Sequence, residues 1–144
     1  MRLKPIGVIR SPYKTPEEAP RQGCLAGKEA VIELFPEFVP GLKDVEKATH
    51  LIVLYWCHLA RRDVLQTTTP HGPELRGVFA CRSPVRPNPI AFTVVKLLGV
   101  EGNRLRVQGL DAVDGSPLLD LKPYSPGIDS VSDARTGWRP GQKT

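Results

Sequence analysis

The nine residues Arg82-Ser83-Pro84-Val85-Arg86-Pro87-Asn88-Pro89-Ile90 set two arginines and an asparagine among three prolines. Each proline holds its own φ at about −65°. It also pushes the residue before it, here Ser83, Arg86 and Asn88, toward extended geometry. A segment so restricted has little backbone freedom left to lose on binding, where ordering one residue otherwise costs about 1–2 kcal/mol. Guanidinium groups offer forked donors and an amide offers both donor and acceptor. Arg82, Arg86 and Asn88 therefore suit a carboxylate, a phosphate or the edge of a base. A stiff connector with solvated arginines has the same composition, and residue types alone leave both readings open. Pro84-Val85-Arg86-Pro87 is also a literal Pro-x-x-Pro. Such ligands sit in disordered tails, whereas this one lies between two predicted strands.

Three further groups carry polar chemistry. His58 closes an apolar segment and alternates onto the face of Trp56, where imidazole and indole suit a heteroaromatic ring; a core histidine satisfied by backbone is the plainer reading. Pro20-Arg21-Gln22-Gly23 lies in a long early loop and either folds over a ligand or forms an ordinary turn. Asp111 and Asp114 flank a tight Asp114-Gly115 turn, where they accept ribose hydroxyls or only cap the turn. No Gly-x-Gly-x-x-Gly, Walker loop, Gly-x-Ser-x-Gly or His-Glu-x-x-His pattern is present, so a Rossmann site, a P-loop, a hydrolase elbow and a zincin have no support. Cys57 and His58 alternate to opposite faces of a strand, and no metal site is expected.

The elements that must position these groups read as strands. Ile6–Ile9 and Ala30–Leu34 are short β runs, and a structureless loop from Tyr13 to Gly27 separates them. Pro36 and Pro40 bound a second loop, and 41–48 forms a short helix with Leu42 and Val45 on one face. His50–Leu59 is the most apolar run, with its branched residues favouring a strand. Both of its faces are apolar, so cover is expected on both sides, the outer one from something packed against the barrel such as a second subunit. Arg61–Arg76 reads as a polar loop and Gly77–Ala80 as a short strand. Ala91–Val100 and Arg104–Leu110 pair as a hairpin through Glu101-Gly102-Asn103. Pro117–Tyr124 is the last strand, and the residues from Ser125 onward are a polar tail in which Trp138 either anchors a dimer or frays.

Composition supports this class. Fifteen Pro and thirteen Gly among 144 residues argue against a helical bundle, because an interior Pro costs a helix about 3 kcal/mol. The expected fold is mainly β, a small single-domain β-barrel with one or two short helices. Residues 1–126 form the domain and 127–144 the tail. The net charge of +5 divides evenly between the halves of the chain, with ten basic and eight acidic groups in 1–72 and ten and seven in 73–144. Charge by itself therefore singles out no anionic partner. Three scattered cysteines, no leader pattern and no apolar run near the ~20 residues of a membrane span point to a reduced cytoplasmic protein without a membrane partner.

Ile6–Lys14, Pro20-Arg21-Gln22, His50–His58, Gly77–Ile90, Gly109–Pro117 and Asp120–Tyr124 together resemble the TsaA-like family, the TrmO type of tRNA methyltransferase. The resemblance covers residues 4–126, and the Arg-Ser-Pro-x-Arg-Pro-Asn-Pro-Ile run is long and compositionally odd. It implies a β-barrel that binds S-adenosylmethionine without a Rossmann fold, as a homodimer. It also implies methylation of the N6 nitrogen of threonylcarbamoyladenosine in tRNA, with no DNA partner. The implied cofactor contacts are Pro20, Arg21, Gln22, His58, Leu59, Arg86, Val95, Asp114, Gly115, Ser116 and Pro117. Arg82 and Asn88 would shape the substrate side, and Lys122, with Arg61, Arg62 and Arg82, would meet RNA phosphates. No catalytic base is implied, because alignment of donor and nucleophile carries most of a methyl transfer. Cys81 replaces the family's Thr, and Ala91-Phe92-Thr93 replaces its Gly-Leu/Met-Ser. The chain is expected to be a short form without the C-terminal extension of bacterial members. A non-catalytic S-adenosylmethionine- or RNA-binding regulator on the same fold is the alternative.

Overall fold

Apolar residues at alternate positions of the strands face inward, as the burial of β1, β2, β3 and β7 shows, and six strands close on one another. The structure, a computed structural model, describes residues 1–20 and 27–138. The strands are β1 (Gly7–Arg10), β2 (Glu29–Leu34), β3 (His50–Trp56), β6 (Ile90–Glu101), β7 (Arg104–Gln108) and β8 (Pro117–Pro123), with β4 (Gln66–Thr69) and β5 (Gly72–Gly77) forming a separate ribbon. The order around the closed barrel is β1-β2-β7-β6-β3-β8, antiparallel throughout. Closure removes the exposed edges that an open sheet would present. The mainly-β barrel expected from composition is the fold found.

The chain divides into two compact units, the barrel (Met1–Leu59 with Ile90–Tyr124) and an inserted unit (Ala60–Pro89 with Ser125–Thr144). In the barrel, Ile9, Ile32, Leu51, Val53, Val95, Leu105, Val107 and Leu118 point inward and are essentially sealed from water. β6 is the longest strand. Its first half pairs with β3 and its second half with β7, and Lys96 lies opposite both His50 and Gln108. The register slips between Leu97 and Gly99, a bulge that bends the strand around the barrel corner. Gly7 has its own reason: a Cβ there would collide with the carbonyl of Glu33 on β2.

Antiparallel pairing sends β1, β3 and β7 to finish at one end of the barrel, where β2, β6 and β8 begin. The other end is closed by two 3-10 helices, Pro36–Leu42 and Val45–Lys47, whose Phe38, Leu42 and Val45 pack against the core. The segment 41–48 was expected to be one α-helix, but Asp44 lies between the two pieces in the left-handed conformation, with φ of 71°. Pro40 sits inside the first piece, where the tighter turn tolerates it.

The inserted unit corrects two expectations. The polar segment 61–76 contains the β4–β5 ribbon, whose Thr-rich strands lack an apolar face to signal them. Val78–Ala80 is a 3-10 turn rather than a strand. The tail carries a single α turn, α1 (Pro126–Asp129), and Trp138 is tied into its own unit. The Trp138 indole N–H donates to the carbonyl of Ala80 at 2.8 Å, the guanidinium of Arg76 stacks 4.8 Å from its ring centroid, and His71 meets the ring edge-on at 5.9 Å. Charge also divides by unit rather than by half: eight Lys/Arg face four Asp/Glu in the insertion, against twelve and eleven in the barrel. Among the described residues no helix is long and apolar enough to cross a membrane.

Candidate functional site

At the barrel end where β1 finishes, the buried Leu110 and Ala112 are joined by a set of polar side chains. Ser11, just past β1, is buried; its hydroxyl donates to the carbonyl of Ala112 at 2.7 Å and accepts the N–H of Tyr13 at 3.2 Å. The Ser11 N–H donates to Asp114 Oδ1 at 3.0 Å, and the Asp114 N–H donates to the carbonyl of Tyr13 at 2.6 Å. The Gly115 N–H reaches the carbonyl of Ile9 at 2.8 Å. The buried Ser116 hydroxyl donates to the carbonyl of Val113 at 2.6 Å. Gly115 holds a φ of 86°, which a Cβ would disfavour by about 1–2 kcal/mol. The segment 111–116 is thus clasped to the end of β1 by a connected hydrogen-bond network, which rigidifies when every member is satisfied.

Electrostatics follow this geometry. Lys14 Nζ lies 3.0 Å from Asp114 Oδ2. That bond, helped by the Ser11 N–H and opposed by partial burial, holds the Asp114 carboxyl below the usual aspartate value. A shallow depression of about 400 Å³ lined by Arg10, Ser11, Lys14, Glu29 and Asp114 adjoins the pair. Inside the mouth, the Tyr55 hydroxyl donates to Asp111 Oδ1 at 2.7 Å and the Thr93 hydroxyl donates to the same oxygen at 2.6 Å. Burial, followed by the adjacent Asp111 carboxylate, holds the Tyr55 phenol protonated far above its ordinary range. The Tyr13 hydroxyl is buried and finds no hydrogen-bond partner. Leaving such a group unpaired costs about 1–3 kcal/mol, so Tyr13, whose backbone joins the Ser11 clasp, carries an orphaned buried polar atom.

The barrel brings Asp114, Gly115, Ser116 and Pro117 together beside Ser11 and Lys14. His58 and Leu59 lie in a turn beyond Trp56, both exposed. The strand ends at Trp56, so alternation does not carry His58 onto the Trp56 face. Val95 differs from expectation: its side chain is 1% exposed and packs in the barrel core, where it offers a ligand no surface. Lys122 stands on β8 and pairs with Asp120 at 3.2 Å. Pro20 is half-buried at the edge of the described chain, and Arg21 and Gln22 lie outside the described residues.

In the inserted unit Arg86 is not the outward-displayed cation that the proline spacing suggests. Its Nη1 donates to the carbonyls of Cys81 and Ser83 at 3.1 and 2.9 Å, and its Nη2 donates to that of Val78 at 2.7 Å. Three of five N–H donors therefore hold the loop's own backbone, and among the described residues no carboxylate pairs with Arg86. Nε–H and one Nη2 hydrogen remain for an anion. Arg62 donates to the carbonyl of Pro87 at 2.8 Å and to Asn88 Oδ1 at 3.3 Å, and the Arg86 N–H reaches the carbonyl of Arg61 at 3.2 Å. The Pro-x-x-Pro segment is thus pinned rather than free to dock, and Pro89 is fully buried. Arg82 is exposed. Among the described residues no cluster of His, Cys, Asp and Glu has metal-binding geometry.

Sequence reading missed Tyr55, Thr93 and Ser11. Tyr55 reads as a core residue between Leu51 and Cys57. The available signal is that a buried tyrosine needs a partner for its hydroxyl, and Asp111 is the carboxylate that supplies it.

A closed antiparallel barrel with polar groups at one end is a small β domain rather than an open α/β nucleotide sheet. The chain belongs to the tRNA-methyltransferase O N-terminal domain family, which it matches over residues 8–130. It is 56% identical over 138 residues to a probable S-adenosyl-L-methionine-binding protein of Archaeoglobus fulgidus, covering 96% of this chain and 38% of that protein. It is 53% identical to an S-adenosyl-L-methionine-binding protein of the same organism, covering 92% of this chain and 95% of the other. The crystal structure of TrmO from Pseudomonas aeruginosa superposes with a TM-score of 0.80 at 38% identity, over 95% of this chain and 61% of that one. The chain thus spans under half of the first relative and under two thirds of the crystallised TrmO.

Proposed function

We propose that the protein binds S-adenosylmethionine and transfers its methyl group to the N6 nitrogen of threonylcarbamoyladenosine in tRNA, in the cytoplasm. The observation that carries this reading is the family match across residues 8–130, which includes the mouth segments that the barrel holds rigid. The residues present suit the cofactor chemically. The Tyr13 hydroxyl lacks a partner, and Arg86 keeps two donors for a carboxylate. Pro20, His58, Leu59 and the Asp114–Pro117 turn, with Arg21 and Gln22, are the proposed holding groups, with Arg86 for the anionic end. When bound, the cofactor supplies an electrophilic methyl on a sulfonium. The chain's own task is to hold the acceptor in line with it, and alignment alone lowers such barriers by several kcal/mol, at most about 7–11.

Arg82 and Asn88 are proposed on the substrate side, and Arg61, Arg62 and Lys122 at RNA phosphates. The greater positive balance of the inserted unit supports an RNA partner. Outward residues Ile52, Leu54, Ile90 and Phe92 lie side by side on β3 and β6, the last two 42% and 49% exposed. We propose that a second copy covers this strip. Sedimentation of Phe92→Asp should then give a monomer where the parent gives a dimer.

The test of the reaction is incubation with radiolabelled S-adenosylmethionine and tRNA carrying threonylcarbamoyladenosine, followed by nucleoside mass analysis. The methylated nucleoside is expected; binding by calorimetry without any methylated product overturns the enzyme. That second outcome would favour the non-catalytic binder, a reading supported by the similarly sized relative described only as a binding protein.

A further inference from the structure

The mouth of the barrel holds one carboxylate in an unusual state of partial satisfaction. Asp111 Oδ1 accepts two short hydroxyl hydrogen bonds, from Tyr55 on β3 and Thr93 on β6. Two donors from two different strands fix the plane of the carboxyl group. The second oxygen, Oδ2, has no hydrogen bond to any described residue. Among the described residues the only buried side-chain polar atom left without a partner is the Tyr13 hydroxyl, so Oδ2 is not sealed from solvent by them.

The neighbouring polar groups are committed elsewhere. Asp114 has both oxygens engaged, Oδ1 by the Ser11 N–H and Oδ2 by Lys14. Tyr55 acts as donor to Asp111. The Ser11 and Ser116 hydroxyls donate to backbone carbonyls. Asp111 therefore combines a rigid mount with an accessible basic lone pair. It stands three residues before the Asp114–Pro117 turn, and its donor Tyr55 stands three residues before His58.

We infer that Asp111 Oδ2 is the proton acceptor of the transfer step, a role that rests on the methyltransferase reading. The acceptor nitrogen carries a hydrogen that must leave. Its lone pair forms the new N–C bond as the C–S bond breaks, the electron pair of that bond stays on sulfur as a thioether, and the N–H proton passes to Asp111 Oδ2 and then to solvent. Once its lone pair is committed to carbon, the nitrogen becomes far more acidic than a carboxylic acid, so an ordinary carboxylate is basic enough to take the proton. Positioned proton transfer contributes about 10²–10⁴-fold to a rate.

Asp111→Asn tests this directly. The amide oxygen still accepts from Tyr55 and Thr93, while an NH2 group replaces the free oxygen. The expected result is a fall of about 100-fold or more in single-turnover methyl transfer. The S-adenosylmethionine dissociation constant by calorimetry should stay within about threefold, and the thermal unfolding midpoint should be unchanged. Thr93→Val, which frees the carboxyl group to turn, should lose about tenfold in rate with the same unchanged affinity, sitting below the range for removing the acceptor itself. An active Asp111→Asn overturns the proton acceptor and leaves the enzyme standing. So does a loss of affinity in proportion to rate, which would make Asp111 a ligand grip, or a lowered midpoint with normal transfer below it. A parent protein that binds S-adenosylmethionine and methylates nothing overturns the enzyme and this role together.

Discussion

The two ends of the barrel are built from the same six strands and closed by different means, since the mouth adds polar side chains to the buried Leu110 and Ala112. At one end, Phe38, Leu42 and Val45 cover the core with apolar surface. The β6–β7 turn there is latched by Asn103, which donates to the carbonyl of Leu34 and accepts the Leu34 N–H through its own carbonyl, both at 2.8 Å. Both backbone polar groups of Leu34 are paired in that latch. At the mouth, Ser11, Ser116, Tyr55, Thr93, Asp111 and Asp114 do the closing, and the pairing is incomplete at Asp111 Oδ2 and the Tyr13 hydroxyl. An end that only needs to exclude water uses apolar side chains, since non-directional burial suffices for that. An end that must meet a polar ligand keeps directional groups and tolerates the cost of leaving some unpaired.

The contrast breaks if both ends respond alike to deletion. Leu42→Ala at the closed end removes a side chain that is 8% exposed and packed on the core. It should cost about 2–4 kcal/mol in urea unfolding, with S-adenosylmethionine affinity of the folded protein unchanged. Ser11→Ala at the mouth removes one hydroxyl that both donates and accepts. The expected stability loss is smaller, about 1–3 kcal/mol, and affinity should fall because the 111–116 segment loses its clasp. Equal affinities in the two variants, by calorimetry, would show that the polar mouth is only another way of closing a barrel.

Most of the barrel was legible because its strands are short runs rich in branched apolar residues and its turns carry Gly102 and Gly115, both at positive φ. The ribbon was not, since Gln66–Thr69 and Gly72–Gly77 have no apolar face and a period of two cannot appear without one. The Asp114 turn was readable from its Asp-Gly pair. The fate of Arg86 was not, because residue type says that a guanidinium has five donors but not that three backbone carbonyls of its own loop will take three of them. The even division of charge along the chain hid the contrast between units, which emerges only when the insertion is separated from the barrel. Asp111 was visible as a carboxylate near a turn. Its partners Tyr55 and Thr93 are 56 and 18 residues distant, and no local pattern connects them.

The smallest expected effect tests the charged part of the mouth. The Lys14–Asp114 pair is partly exposed, with side-chain exposures of 66% and 24%, and such pairs contribute about 0–1 kcal/mol. The folded-state value of Asp114 lies below its ordinary 3.8. A depressed carboxyl contributes stability that is fully present above the unfolded value and is lost as pH falls through the folded one. Asp114→Asn keeps an oxygen for the Ser11 N–H and removes the charge that Lys14 meets. The parent should therefore exceed Asp114→Asn in stability at neutral pH. The difference should shrink as pH drops through and below the ordinary aspartate range, and also as salt rises, since the pair is screened. No comparable pH-dependent difference is expected for Leu42→Ala at the closed end. Urea unfolding of parent and variant across that acid range reads the difference directly, and a gap that stays constant with pH would mean that the mouth's charges do not help to close it.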